Sequence, residues 1–211
     1  MNLSDRETPI IAPAAAGPER RTGKRHSLVL LVGKVLDPAG AHACLVHDVS
    51  PTGLMARFIK LPVAGQRTCI EIRGLPPIDA IVRWVEGFKA GIEFDTRQDV
   101  ECVFKVKRDD GLVARAPRFP ISAPAQLRIG AQRIKAEALD ISPGGTKLTA
   151  NIGVQRGQTG QVLLTETGTA LFGTICWAYD GRLGFKFVVP MPLATLSAIL
   201  ANQQTHRAAA E

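Results

Sequence analysis

The sequence lacks the patterns that mark several large classes of protein. Its four cysteines are scattered along 211 residues, without the close pairs that a zinc site or a disulfide framework uses. No apolar run approaches the ~20 residues of a membrane-spanning helix, and the N-terminus lacks the layout of a signal peptide. We therefore expect a protein of the reducing cytoplasm, with no membrane span and no metal site.

Aromatic residues are also scarce, at 5% of the chain with a single tyrosine. Proteins that bind single-stranded nucleic acids stack bases on aromatic side chains, so we do not expect a nucleic-acid partner, although a net charge of +7 would suit one. The common motifs of metalloproteases, serine hydrolases and phosphate-binding loops are missing. We expect neither an enzyme nor a cofactor.

What the sequence does contain is an internal repeat. The segment 48–53 returns as 140–145, an offset of 92 (140 − 48), and Arg25 has a counterpart in Arg118 at an offset of 93 (118 − 25). Two further segments, 81–84 and 91–94, return as 174–177 and 184–187. Landmarks in the same order at nearly the same period indicate one domain of about 90 residues written twice.

Each repeat is divided into short segments rich in Val and Ile, separated by Pro and Gly. This pattern predicts an antiparallel barrel or sandwich. The predicted strands are 27–36, 41–49, 53–60, 67–73, 78–86 and 89–94, then 125–129, 132–141, 145–150, 160–166, 170–178 and 183–189. A helix is predicted after each set, because Asp95 and Gln98 form a capping-box pattern and Pro192 precedes leucines at helical spacing. We expect Trp84 and Trp177 to be core residues.

The basic stretch that precedes the first strand and the turn motif that follows the second are the candidates for chemistry. Arg21 and Arg25 are four apart in an extended segment, so both face one side, and guanidinium groups pair with phosphate and stack on flat rings. Asp48 and Ser50 also share a face. Each motif alone also has a structural interpretation. The basic stretch is typical of a solvent-exposed segment at the start of a domain, and the Asp-Ser motif is typical of a hairpin turn.

Together, the arginines at 21 and 25 followed by Asp48, Ser50 and Gly53 resemble the PilZ domain, a bacterial receptor module for cyclic di-GMP. The resemblance implies a mainly β fold: two consecutive six-stranded antiparallel β-barrels, each followed by a C-terminal helix. It implies that the arginines hold the phosphates and that the Asp-Ser-Gly turn contacts a guanine. The implied ligand-binding residues are Arg20, Arg21, Arg25, Asp48, Ser50 and Gly53.

The second unit departs from the family pattern, because Ala114 stands where the first arginine is expected. Its turn motif is intact, so a second, weaker site is predicted from Arg115, Arg118, Asp140, Ser142 and Gly145. The predicted organisation is a tail at 1–19, a ligand-binding barrel at 20–108, a linker at 109–111, a degenerate barrel at 112–205 and a tail at 206–211.

The resemblance implies a receptor that transmits the cyclic di-GMP level to a protein partner, with motility, polysaccharide synthesis and biofilm formation as family outputs. One alternative is an adaptor of the same fold that binds proteins and no nucleotide. Another is a β-barrel nucleic-acid binder, suggested by a sequence pI near 9.6. His42 and Cys44 alternate on one strand face, but no second pair accompanies them, so we interpret them as core residues.

Overall fold

The computed structural model describes residues 26–105, 111, 113–150 and 153–208. They form two closed antiparallel barrels of six strands each. Barrel 1 contains β1 (His26–Asp37), β2 (Gly40–Ser50), β3 (Gly53–Phe58), β4 (Arg67–Glu71), β5 (Ile78–Glu86) and β6 (Lys89–Phe94). Barrel 2 contains β7 (Phe119–Ile129), β8 (Gln132–Ser142), β9 (Gly145–Ala150), β10 (Thr159–Leu164), β11 (Thr169–Tyr179) and β12 (Arg182–Phe187).

The strands form because their apolar residues alternate with polar ones. In β7, Phe119, Ile121 and Leu127 point into the barrel and are at most 5% exposed, while Ser122 and Arg128 face solvent. This two-residue period allows one face of each strand to form the core while the other face is exposed to solvent.

The two barrels have the same strand order, as the internal repeat predicts. Barrel 1 runs β1-β2-β3-β6-β5-β4 and closes by pairing β1 with β4. Barrel 2 runs β7-β8-β9-β12-β11-β10 and closes by pairing β7 with β10. Closure leaves no unpaired edge strand in either barrel, and the predicted mainly β fold of two six-stranded barrels is confirmed.

The predicted helix after each barrel is confirmed only for barrel 2, which is followed by α1 (Leu193–Ala208). After barrel 1, the described residues up to 105 hold a four-residue 3-10 helix, Val100–Val103. Asp99, not Asp95, caps it by accepting a hydrogen bond from the Glu101 amide. Val100 and Val103 are both buried, so one short turn is enough to cover this end of the core.

Helix α1 packs against both barrels. Leu196, Ile199 and Leu200 are buried in the core of barrel 2, and that core also includes Ala43 of β2. The Gln204 side chain donates to the backbone oxygen of Ala41 at 3.2 Å. The helix therefore joins the strand that ends in the first Asp-Ser motif to the second barrel. Among the described helices, none is long and apolar enough to cross a membrane.

The prediction that the tryptophans are core residues is wrong. Trp84 is 43% exposed and lies on the outer surface of barrel 1, paired across the strands with Gly91. Trp177 is paired in the same way with Gly184. A Cβ on either glycine would lie 2.0–2.1 Å from the indole Nε1, so each indole covers a strand position that has no side chain. The repeat of Trp and Gly therefore reflects packing on the outside of each barrel.

Candidate ligand-binding site

The start of β1 lies beside the end of β2. His26 pairs with Val49 and Ser27 pairs with Asp48, so β1 begins next to the Asp-Ser motif. The predicted arginines Arg20, Arg21 and Arg25 lie outside the described residues. The register thus supplies the neighbourhood that the resemblance requires, while the positions of the arginine side chains stay a prediction.

The motif turn of barrel 1 is fixed by hydrogen bonds from three directions. Ser50 pairs with Gly53 across the turn, and its hydroxyl donates to the Gly53 carbonyl at 3.1 Å. The amide of Gln98 donates to the Pro51 carbonyl at 2.8 Å, and the amide of Phe94 donates to the Thr52 carbonyl at 2.9 Å. The turn is therefore a rigid platform, held by the segment that follows β6.

The glycine of the motif is required by the neighbouring strand. A Cβ on Gly53 would lie 2.4 Å from the carbonyl oxygen of Ile92, and one on Gly145 would lie 2.5 Å from that of Phe185. Backbone atoms cannot yield as a flexible side chain can, so both positions exclude any larger residue. The recurrence of this glycine is explained by strand packing in both barrels.

Asp48 and Asp140 occupy equivalent irregularities. The register between β2 and β3 shifts between Val46 and Asp48, and that between β8 and β9 shifts between Ala138 and Asp140. A β-bulge of this kind bends the strand and redirects the side chains beside it. In both barrels the bulge sets the direction of the aspartate, which is half-buried.

In barrel 2 the aspartate is occupied by groups of its own chain. Arg118 Nη1 donates to Asp140 Oδ1 at 2.5 Å, and the amide of Lys147 donates to the same oxygen at 3.1 Å. The Ser142 hydroxyl donates to the Gly145 carbonyl at 3.0 Å and is buried. Arg115 is exposed. The structure thus brings Arg118, Asp140, Ser142 and Gly145 together, with Arg118 and Asp140 in an ion pair.

Sequence reasoning missed a difference between the barrels beside this site. Three residues of β1, from 28 to 30, face one residue of β2, His47, whereas two residues of β7 face one residue of β8. The extra residue is accommodated at Leu30, which has a φ of 48° and is 55% exposed. The sequence contained a signal of this difference. The repeat offset is 93 between Arg25 and Arg118 but 92 between Asp48 and Asp140, so barrel 1 has one more residue between these two positions.

His47 is a second feature that the sequence did not reveal. Its Nε2 atom is buried and has no hydrogen-bond partner among the described residues. It precedes Asp48 and lies opposite the widened part of β1. In barrel 2 the corresponding residue is Leu139, so the fold itself does not require a histidine here.

The other candidates are structural. His42 Nε2 lies 3.1 Å from Asp37 Oδ1. Burial raises the pKa of the Cys44 thiol to about 12, opposed by a hydrogen bond with the backbone of Gly33, so this thiol stays protonated and unreactive. Across the described part of the chain, no group of three or more His, Cys, Asp and Glu side chains could hold a metal ion.

Comparisons with known proteins point to one family. Residues 113–202 match the family model described as the PilZ domain. A search of the curated proteins found no significant match.

Solved structures with a similar chain trace include the Borreliella burgdorferi PlzA protein in complex with c-di-GMP, at 13% identity and a TM-score of 0.37 over 85% of this chain and 93% of that one. Escherichia coli YcgR in complex with c-di-GMP gives 15% identity and a TM-score of 0.37 over 86% and 87%. The Bacillus subtilis inhibitor of motility (MotI/DgrA) gives 9% and 0.33 over 86% and 96%.

Proposed function

The chain contains a PilZ domain, matched over residues 113–202, and from this premise we propose that the protein is a receptor that binds cyclic di-GMP and transmits its level to a protein partner. We assign it no catalytic role and no cofactor. We place it in the cytoplasm, where its four unpaired cysteines are stable.

The single observation that best supports this proposal is the register between the start of β1 and the end of β2 in barrel 1. Ser27 pairs with Asp48, as Pro120 pairs with Asp140 in barrel 2. In barrel 2 the arginine two residues before Pro120 reaches the aspartate. Arg25 stands two residues before Ser27, so we infer that the arginine stretch and the Asp48 turn of barrel 1 face the same space.

We propose that the ligand is held by Arg20, Arg21, Arg25, Asp48, Ser50 and Gly53. Guanidinium groups bind phosphate oxygens in a forked geometry and stack on planar bases. The Asp48 carboxylate accepts hydrogen bonds from the paired N–H groups of a guanine edge. The hydrogen-bonded turn holds these acceptors in place before the ligand arrives, which reduces the entropy lost on binding.

Barrel 2 is the weaker of the two candidate sites in this proposal. Ala114 stands where the family pattern has its first arginine, so barrel 2 has one phosphate-binding arginine fewer than barrel 1. We therefore take the unit at 20–108 as the ligand-binding domain, and the unit at 112–205 as its structural or regulatory companion.

Calorimetric titration of the full chain with cyclic di-GMP tests the function and the site. Loss of a charge-assisted contact in a desolvated site costs about 2–5 kcal/mol, so Arg25→Ala should weaken binding well over tenfold. Arg156→Ala, an equal loss of charge at an exposed residue of barrel 2, should leave the affinity unchanged. Wild-type affinity in the double variant Arg21→Ala/Arg25→Ala would refute the site, and no binding by the wild-type chain would refute the function.

A further inference from the structure

Four side chains form a continuous row across the outer face of barrel 2. Phe172 of β11 pairs with Gln161 of β10, Gln161 pairs with Arg128 of β7, and Arg128 pairs with Arg133 of β8. Directly paired residues of antiparallel strands project to the same face. Phe172 is 64% exposed, and both arginines are exposed. We name these four residues the Phe172 row.

The same row in barrel 1 has an opposite character, which shows that the fold does not require it. The corresponding residues are Asp79, Cys69, Leu36 and Ala41, joined by the same pairings. That row contains one acidic side chain and no cation, whereas the Phe172 row contains two cations and an aromatic ring. The comparison of equivalent positions therefore shows that the cations and the aromatic ring of this row are specific to barrel 2.

A cavity of about 430 Å³ lies along the Phe172 row. Three glycines form much of its wall as bare backbone, and Thr159 and Val188 complete it; the full lining is Arg128, Gly130, Thr159, Gly160, Gln161, Phe172, Gly173 and Val188. In barrel 1 the positions of Thr159 and Val188 carry Arg67 and Asp95, which form an ion pair. Barrel 2 is open at the place where barrel 1 is covered by charged side chains.

The combination of a ring, an amide and two guanidinium groups fits a nucleotide. Exposed aromatic rings stack on bases, guanidinium groups pair with phosphates, and an amide both donates and accepts at a base edge. Neighbouring strands lie ~4.8 Å apart, so Phe172 and Arg128 are separated by ~10 Å at the backbone. We propose that the Phe172 row binds a nucleotide unit of a single-stranded nucleic acid, with the base on Phe172 and the phosphates on Arg128 and Arg133.

Other occupants fit the same surface less well. The barrel is closed, so it offers no free strand edge to which a peptide backbone could add. A second copy of the chain would bring its own pair of arginines to the same place. The charge of residues 111–211, ten basic against five acidic side chains, favours a polyanion.

This row is separate from both cyclic di-GMP sites proposed above. Asp140 pairs with Pro120 at the start of β7, and Arg128 is eight residues further along the same strand. At ~3.3 Å per residue this is ~26 Å of strand. The inference does not rest on the proposed function.

Fluorescence anisotropy of the full chain with a fluorescein-labelled ten-nucleotide oligothymidylate tests the inference. Arg128→Ala and Phe172→Leu should each weaken binding at least tenfold. Two matched variants should bind as the wild type does: Phe172→Tyr, which keeps the ring, and Arg182→Ala, an equal loss of charge next to Tyr179 at the far end of β11. Arg128→Ala should also reduce the slope of log K against log salt concentration by about 1, and Phe172→Leu should not.

Competition experiments distinguish a single-stranded nucleic acid from a free nucleotide as the ligand of the Phe172 row. Stronger displacement by unlabelled oligothymidylate than by GMP, at equal nucleotide concentration, assigns the row to single strands, and equal displacement assigns it to free nucleotides. Cyclic di-GMP affinity should be unchanged in Arg128→Ala. The inference is overturned if the wild-type chain shows no saturable binding of the oligonucleotide, if Arg182→Ala weakens binding as much as Arg128→Ala does, or if a labelled ten-residue oligoglutamate binds equally well.

Discussion

At the scale of single residues, the pairs of tryptophan and glycine link sequence to stability. Trp177 lies over Gly184, where a Cβ would come within 2.1 Å of the indole Nε1. Gly184→Ala must displace the indole, and overpacking of this kind costs about 1–3 kcal/mol. Urea unfolding should show this loss, and tryptophan emission should shift to the red as the ring moves into solvent.

Gly144 provides the control for that substitution. A Cβ on Gly144 would meet nothing within 4 Å, so Gly144→Ala should change the free energy of unfolding by less than about 0.5 kcal/mol. Equal destabilisation by the two substitutions would show that lost backbone freedom, and not contact with the indole, explains the glycine at 184.

Cys44 should make the free energy of unfolding of barrel 1 depend on pH in the alkaline range. The thiol is buried, and burial raises its pKa from 9.0 to about 12. The unfolded chain therefore loses this proton near pH 9 while the folded chain keeps it, so the contribution of Cys44 to stability is full below pH 9 and is lost as the pH rises toward 12. The expected loss is about 1.4 kcal/mol per pH unit.

The measurement is thermal or urea unfolding of the wild type and Cys44→Ala between pH 8 and pH 10.5. The substitution creates a small cavity and lowers stability at every pH, but it removes the titrating group. The difference between the two proteins should therefore shrink as the pH rises above 9. A difference that is constant with pH would contradict the buried, protonated state of this thiol.

At the scale of elements, helix α1 is stabilised by its packing and not by its own sequence. Leu196 is fully buried, while Leu193 in the first turn is half-buried. Leu196→Ala should lower the free energy of unfolding by about 2–5 kcal/mol, and Leu193→Ala by clearly less. Calorimetric unfolding of the two variants measures this. Equal losses would mean that helix propensity, and not burial, sets the stability of α1.

The helix also connects the two barrels. It contacts β2 through Ala41 and Ala43, and β2 ends in Ser50 of the motif turn. Because α1 packs in the core of barrel 2 and also contacts β2, it links the strand that carries the motif turn of barrel 1 to barrel 2.

At the scale of the whole molecule, the two copies are predicted to differ in affinity. The fragment 1–110 contains both motif arginines, Arg21 and Arg25, whereas in 111–211 Ala114 stands where the first arginine is expected. Calorimetric titration with cyclic di-GMP should show binding by the first fragment and at least tenfold weaker binding by the second. Equal or tighter binding by 111–211 would show that Arg115 and Arg118 form the principal site.

Circular dichroism of each fragment serves as the control for folding. The fragment 111–211 exposes the face of α1 that contacts β2 in the full chain, so it should be less stable than barrel 2 in the intact protein. A fragment with the β-sheet spectrum of a barrel and no affinity is informative about the site, whereas an unfolded one is not.

Much of the fold follows from local pattern alone. Alternation of apolar residues, turns rich in Pro and Gly, and a repeat of about 90 residues depend on neighbours in sequence. They predicted twelve strands in two units, each a barrel or a sandwich, and the resemblance to the PilZ domain implied the barrels. The helix predicted after barrel 1 failed, because two buried valines in a 3-10 turn already cover that end of the core.

The motif turns were also determined by the sequence, because Ser50 and Gly53 interact over three residues. Tertiary structure alone decided that the tryptophans lie outside the barrel, that Leu30 is the extra residue, and that Phe172 and Arg133 share one row. Each of these depends on register between strands that are distant along the chain. A register shift of one residue moves every side chain of a strand to the opposite face, and packing across the whole barrel, not the local pattern, selects the register.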